Sequence, residues 1–326
     1  MPYILLALGV TLLLIGGTAL VTGASGIARI YKVPPVIIGL TVVAFGTSMP
    51  ELVVNVTGAI KGQTDIAFGN VVGSNLANFG LVLGLAAIMS PIYLKGQVVR
   101  REVPFLLLIT AILMVMAWDL PLTGSPELID RSDAVILFLL FTIFVYFTVR
   151  DVLVEKDDPV FVEAERFPTT DKLANPRLNL ALNGVYAVVG IGCLGAGGTI
   201  TIEQGSVIAR LMEVPPVVVG IFMVAVGTSL PELVTSAIAA YHKETDLALG
   251  NIVGSNIFNS LVVLPAAAII RPIPVPAGGD LDLAVGFVFV LVVIPLFVFS
   301  GARLGRRAGA AIVTVYFAYM VYRFMA

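Results

Sequence analysis

Gly46-Thr47-Ser48-Met49-Pro50-Glu51-Leu52-Val53 and Gly227-Thr228-Ser229-Leu230-Pro231-Glu232-Leu233-Val234 are one octapeptide written twice, 181 residues apart, with a single Met-to-Leu change. The ungapped match continues on both sides. Val33-Pro34-Pro35-Val36 meets Val214-Pro215-Pro216-Val217, and Thr64-Asp65 meets Thr245-Asp246. Gly69-Asn70 meets Gly250-Asn251, and Gly73-Ser74-Asn75 with Asn78 meets Gly254-Ser255-Asn256 with Asn259. Roughly half of positions 33–92 equal their partners, more than shared hydrophobicity supplies. Fainter echoes lie upstream, Gly16-Gly17-Thr18 with Gly197-Gly198-Thr199 and Ile27-Ala28-Arg29 with Ile208-Ala209-Arg210.

The duplicated unit sits in a very apolar chain. Of 326 residues, 58% are hydrophobic and 12% charged, with mean hydropathy +1.02. A soluble domain needs more charge to cover its surface, which places the chain among membrane proteins. A spanning helix takes about 20 apolar residues, and such runs cover 3–25, 34–60, 66–92, 103–118, 133–149, 179–202, 215–241, 247–270, 281–299 and 308–322. The alternation of barrel strands is absent. Residues 1–25 lack a basic n-region and have a counterpart in the second half, so they read as a retained first helix. The expected fold is an all-α polytopic membrane protein of ten transmembrane helices.

Five spans per half is an odd number, so the second half enters the membrane from the opposite side. The two five-helix repeats are then inverted, an architecture of secondary transporters with a site near the midplane. The expected division is a first repeat at 1–150, a charged cytoplasmic linker at 151–177 containing Pro159, Pro168 and Pro176, and a second repeat at 178–326. Of 19 Lys and Arg, only Lys61, Arg131, Arg210, Arg271 and Arg323 fall on one side, leaving fourteen on the other. By the positive-inside rule both termini lie outside the cell membrane.

The lone Cys193 excludes a disulfide framework, a cysteine zinc site and an iron–sulfur cluster. His242 is the only histidine and belongs to a short loop. Glu51 and Glu232 are the ionisable residues within their matched spans, and no Lys or Arg lies inside any of the ten. An intramembrane carboxylate needs a partner, and what remains is a proton or a metal ion. Thr47 and Ser48 share the helix face of Glu51, as Thr228 and Ser229 share that of Glu232. Pro50 frees the carbonyl of Gly46 and Pro231 that of Gly227. Such hard oxygen donors suit Ca²⁺ or Na⁺ over softer metals. On the next helix Ser74 and Asn78 lie four apart, as do Ser255 and Asn259, and offer either neutral ligands or interhelical hydrogen bonds. Gly69, Gly73, Gly250 and Gly254 read as close-packing positions. Asp65 and Asp246 read as helix caps, Glu203 as interfacial, and Asp119, Glu127, Asp130 and Asp133 as a solvated acidic loop.

The doubled Gly-Thr-Ser-x-Pro-Glu followed by Gly-Asn-x-x-Gly-Ser-Asn resembles the α-repeats of the cation/Ca²⁺ exchanger superfamily, above all prokaryotic sodium/calcium exchangers with ten helices. The resemblance covers nearly the whole chain. It implies that Glu51 and Glu232 are the central Ca²⁺ ligands, with Thr47, Ser48, Thr228 and Ser229 around them. It implies flanking Na⁺ sites at Ser74 and Ser255, backbone carbonyl ligands at Ala44 and Ala225, and a polar pair, Asn78 and Asn259, completing the centre. Some archaeal members have Asp where this chain has Asn259, which leaves two acids here in place of three. Proton-coupled relatives usually open the motif with Gly-Asn, so Gly-Thr-Ser favours Na⁺. The resemblance further implies that spans 1 and 6 slide across a core of spans 2, 3, 7 and 8, with Gly195-Ala196-Gly197-Gly198 permitting close contact.

The expected function is Ca²⁺/Na⁺ antiport by alternating access. The alternatives are H⁺-coupled Ca²⁺ exchange, because close buried carboxylates attract protons, and a cation channel, which would need a continuous pore. An enzyme is the weakest option, since no nucleophile–base pair or phosphate loop is present. No cofactor and no nucleic-acid partner are expected; Ca²⁺, Na⁺ and the lipid bilayer are the partners. A monomer is plausible, and the sequence does not set the oligomeric state.

Overall fold

The computed structural model describes residues 1–93, 101–118, 127–154, 176–212, 227–299 and 303–325. Every one of the ten apolar intervals holds helix. The elements are α1 (Pro2–Tyr31), α2 (Pro35–Thr47), α3 (Met49–Ile60), α4 (Asp65–Met89), α5 (Val103–Met116), α6 (Arg131–Val154), α7 (Pro176–Leu211), α8 (Leu230–Tyr241), α9 (Thr245–Ile270), α10 (Gly279–Phe299) and α11 (Arg306–Met325). Among the described residues, five helices are long and apolar enough to cross a membrane, six if the bent pair α2 and α3 counts as one span. Residues 213–226, which carry the start of the seventh interval, lie outside the described residues, as does most of the 151–177 linker.

The interval 34–60 is not one straight helix. It stops at Thr47, turns through Ser48 (φ −88°, ψ 7°) and resumes at Met49 with a bend of 44°. Pro50 explains the break, because it has no N–H for the Gly46 carbonyl and its ring crowds the preceding turn. The second octapeptide repeats the geometry, with Ser229 at φ −84° and ψ 6° ahead of Pro231. Three π-helical turns interrupt α2, α4 and α9, at Gly39–Val43, Asn78–Val82 and Asn259–Val263. A π turn holds one extra residue and re-aims side chains, often at functional sites.

Helices α4 and α9 form the centre of the molecule. Their apolar windows are 78% and 83% buried, against 33%, 22% and 28% for α1, α6 and α7. Gly250 and Gly254 let α9 lie directly on α2. A Cβ there would stand 2.3 Å from the Val36 carbonyl and 2.6 Å from that of Leu40. No described atom lies within 4 Å of a Cβ on Gly69.

A second glycine seam joins α1 to α7 in antiparallel contact. Gly9 packs on Gly197 and Thr201, Gly16 on Gly190 and Leu194, and Gly23 on Asn183 and Ala187. Glycines seven residues apart bring the two backbones together along most of their length. Of the Gly195–Gly198 cluster, only Gly197 belongs to this seam. Gly198 faces Pro231, and Gly195 meets no described atom.

Two short antiparallel ladders tie the halves together. β1 (Ile92–Tyr93) pairs with β4 (Arg303–Leu304), and β2 (Leu128–Ile129) pairs with β3 (Ile273–Pro274). Asp65 and Asp246 are first-turn residues of α4 and α9, whose N-caps are Thr64 and Glu244. A carboxylate in the first turn of a helix is favoured by the helix dipole. In the acidic loop, Asp119 lies outside the described residues, while Asp130 and Asp133 fasten the start of α6. The Ser132 and Asp133 N–H groups donate to Asp130, and the Asp130 N–H donates to Asp133. Glu203 is exposed on α7, and His242 ends α8.

Candidate functional site

The break at Ser48 and the break at Ser229 face each other across the centre, and α4 and α9 close the sides. Glu51, in the first turn of α3, and Glu232, in the first turn of α8, are both wholly buried. Each glutamate is met by a hydroxyl of the other half, and Glu232 also by one of its own half. Ser48 Oγ donates to Glu232 Oε1 at 2.8 Å, and Ser255 Oγ donates to the same oxygen at 3.5 Å. Thr228 flanks the Glu51 carboxylate.

The threonines make a matched pair of cross-links. The Thr47 hydroxyl lies 3.1 Å from Asn251 Oδ1 and 3.4 Å from Ser255 Oγ. The Thr228 hydroxyl lies 3.0 Å from Asn70 Oδ1 and 3.2 Å from Ser74 Oγ. Every partner in one set stands 181 residues from its equivalent in the other. Below the acids, Asn55 Nδ2 donates to the Glu51 carbonyl at 2.7 Å, and Asn251 Nδ2 donates to Ser236 Oγ at 2.9 Å. The Ala44 carbonyl accepts the Ser48 N–H at 3.0 Å and lies 3.3 Å from the Thr47 hydroxyl. Ala225 lies outside the described residues.

The remaining electrostatic demand is large. Both oxygens of Glu51 and Oε2 of Glu232 are buried with no hydrogen-bond donor among the described residues. Ser229 Oγ, Asn78 Oδ1 and both amide atoms of Asn259 are likewise buried and unpartnered. The ion pairs Arg101–Glu102 and Arg323–Asp282 lie elsewhere. A buried carboxylate oxygen without a donor is costly. No group of three or more His, Cys, Asp and Glu side chains gathers among the described residues. The donor set is therefore two carboxylates among neutral hydroxyl, amide and backbone oxygens, chemistry that fits a hard cation of low charge.

Of the residues expected from sequence, Glu51, Glu232, Thr47, Ser48, Thr228, Ser74 and Ser255 are brought into this one network, with Asn78 and Asn259 opening the π turns beside it. Sequence reasoning passed over Asn70 and Asn251, the acceptors of the threonine hydroxyls. Their signal is the four-residue spacing of Asn70, Ser74 and Asn78, which puts all three on one helix face. It also passed over Asn55 and Ser236, one turn beyond each glutamate.

A family model described as sodium/calcium exchanger protein matches residues 1–150 and 183–325. The chain belongs to the sodium/calcium exchanger family. The putative antiporter CaxA of Alkalimonas amylolytica is 34% identical over 97% of this exchanger and 96% of its own length. The sodium/calcium exchanger MaX1 of Methanosarcina acetivorans is 29% identical over 99% and 98%. The solved structure of the sodium-calcium exchanger NCX_Mj superposes with a TM-score of 0.82 at 27% identity, covering 98% of each chain. This exchanger is accordingly an integral membrane cation transporter of the Ca²⁺-exchanging kind, and not an enzyme.

Proposed function

We propose that the protein exchanges Ca²⁺ for Na⁺ by alternating access, with Glu51 and Glu232 sharing one Ca²⁺. The observation that carries this reading is the pair of wholly buried carboxylates with three of four oxygens lacking a donor among the described residues. One Ca²⁺ neutralises both charges. Thr47, Ser48, Thr228 and Ser229 surround it, Asn78 and Asn259 complete the centre, Ser74 and Ser255 serve flanking Na⁺ ions, and the Ala44 and Ala225 carbonyls contribute further oxygen ligands. Relatives named sodium/calcium exchangers support the choice of ions.

Ten spans in two inverted repeats, 1–150 and 178–326 around the 151–177 linker, are part of the proposal. The 181-residue match and the paired threonine links support them. Both termini lie outside the cell membrane by the distribution of Lys and Arg. Only a loaded centre passes the low-dielectric intermediate, because two bare carboxylates there would be very costly. That requirement couples the two ion fluxes and prevents leak.

Reconstitution in liposomes tests the reading. An outward Na⁺ gradient is expected to drive ⁴⁵Ca²⁺ uptake, and Glu51→Gln or Glu232→Gln to abolish it. Uptake indifferent to Na⁺ but driven by a pH gradient would overturn Na⁺ coupling. Rapid uptake with no counter-ion at all would mean a channel.

A further inference from the structure

Asn75 and Asn256 stand 181 residues apart and both line a cavity of about 20 Å³ between α4, α5, α9 and α10. That volume holds one water. Asn256 is 1% exposed. An asparagine amide offers two donor hydrogens and one acceptor oxygen. Asn75 Nδ2 donates to Ser260 Oγ at 2.9 Å, and Asn75 Oδ1 is buried without a partner among the described residues. Asn78 Nδ2 donates to Asn256 Oδ1 at 3.1 Å, while Asn256 Nδ2 and Asn78 Oδ1 are buried without partners among the described residues. The cavity wall thus carries one unused donor and one unused acceptor.

We propose that this cavity binds a single ordered water that accepts from Asn256 Nδ2 and donates to Asn75 Oδ1, making Asn256 a positioning residue that holds the Asn78 oxygen toward the transported cation. The second water hydrogen reaches Thr110, which lines the cavity and whose own hydroxyl proton goes to the Leu106 carbonyl. Asp282 also lines the cavity but is engaged by Arg323 and Tyr319.

Two amides in contact can meet in either of two orientations. The observed one spends the Asn78 N–H on Asn256 and leaves the oxygen for a cation; the reverse would present an NH₂ group, which repels it. Turning Asn78 over requires Asn256, the water, Asn75 and the Ser260 hydroxyl to reverse together. The relay exists on one side only. The residue 181 positions before Ser260 is Phe79, and Asn259 has neither amide atom partnered among the described residues. Asn78 is therefore a fixed oxygen donor and Asn259 an adaptable one.

This inference rests on the reading that Asn78 borders the cation site, and initial rates of Na⁺-driven ⁴⁵Ca²⁺ uptake test it. Asn256→Leu is expected to raise the Ca²⁺ KM about tenfold, the worth of one charge-assisted contact, with little change in maximal rate. Asn75→Leu shifts KM in the same direction, and the double variant costs no more than the larger single, because both act through one water. Asn256→Asp keeps an acceptor for Asn78 and leaves KM no higher than in the parent. An unchanged KM in Asn256→Leu, additive losses in the double variant, or an equal rise in Asn256→Asp would each overturn the relay. Where Asn256→Leu does not fold, Asn75→Leu and Asn256→Asp decide. Abolished transport in Glu51→Gln together with an unmoved KM in these variants removes the relay alone. Normal transport in Glu51→Gln removes the ion site itself.

Discussion

Ser48 and Ser229 occupy the same place in the two octapeptides, yet they do unequal work. Ser48 donates to Glu232, whereas Ser229 Oγ has no partner among the described residues. A hydrogen bond to a charged group contributes about 1.5–3 kcal/mol. Ser48→Ala is therefore expected to raise the Ca²⁺ KM by about tenfold or more, and Ser229→Ala to raise it less, both read from initial uptake rates. Equal effects would mean that the asymmetry has no functional weight. The glutamates were legible in the sequence because an acid in an apolar run is costly wherever it falls, and the 181-residue match paired them. Asn70, Asn251, Asn75 and Asn256 lie in the same matched segment, but asparagine carries no charge to single it out. Only the neighbouring helix shows which face of each amide is spent on protein and which is left over.

The breaks in the helices follow the same division. Pro50 and Pro231 announce the kinks, since a missing N–H is a property of the residue itself. The π turns at Asn78–Val82 and Asn259–Val263 have no such marker. A π turn is a choice of i+5 over i+4 partner, settled by packing. The contact between α1 and α7 was half legible. The Gly195–Gly198 cluster is the dense one in the sequence, but the seam is the spaced series Gly9, Gly16 and Gly23 against Gly190 and Gly197. A Cβ on Gly190 would stand 2.6 Å from Leu20 N and 2.8 Å from the Gly16 carbonyl, with backbone on both sides. Gly190→Ala is expected to cost about 1–3 kcal/mol, as overpacking does, read as a lower melting temperature of the detergent-solubilised protein. Gly192→Ala, two residues away with no described atom within 4 Å, serves as control and should melt with the parent.

At the scale of the molecule, no half of the site is complete alone. Ser48 serves Glu232, Thr228 flanks Glu51, and each threonine hydroxyl is accepted by an asparagine of the other half. The ladders repeat the arrangement at the periphery, β1 with β4 and β2 with β3. Two fragments separated within 155–175 are therefore expected to copurify and transport Ca²⁺ when coexpressed. Either fragment alone should show no uptake, and uptake by the first fragment alone would contradict a shared centre. Composition and spacing revealed the apolar spans and the duplication, but not this interlocking, because strands of two residues leave no periodic signal. The β1–β4 ladder also carries a clock. Ile92 pairs with Leu304, and at about 5–20 residues per second a ribosome needs about 10–40 seconds to deliver the partner. For that interval the first half of the chain has its β1 edge unpaired and Glu51 without Glu232 opposite it.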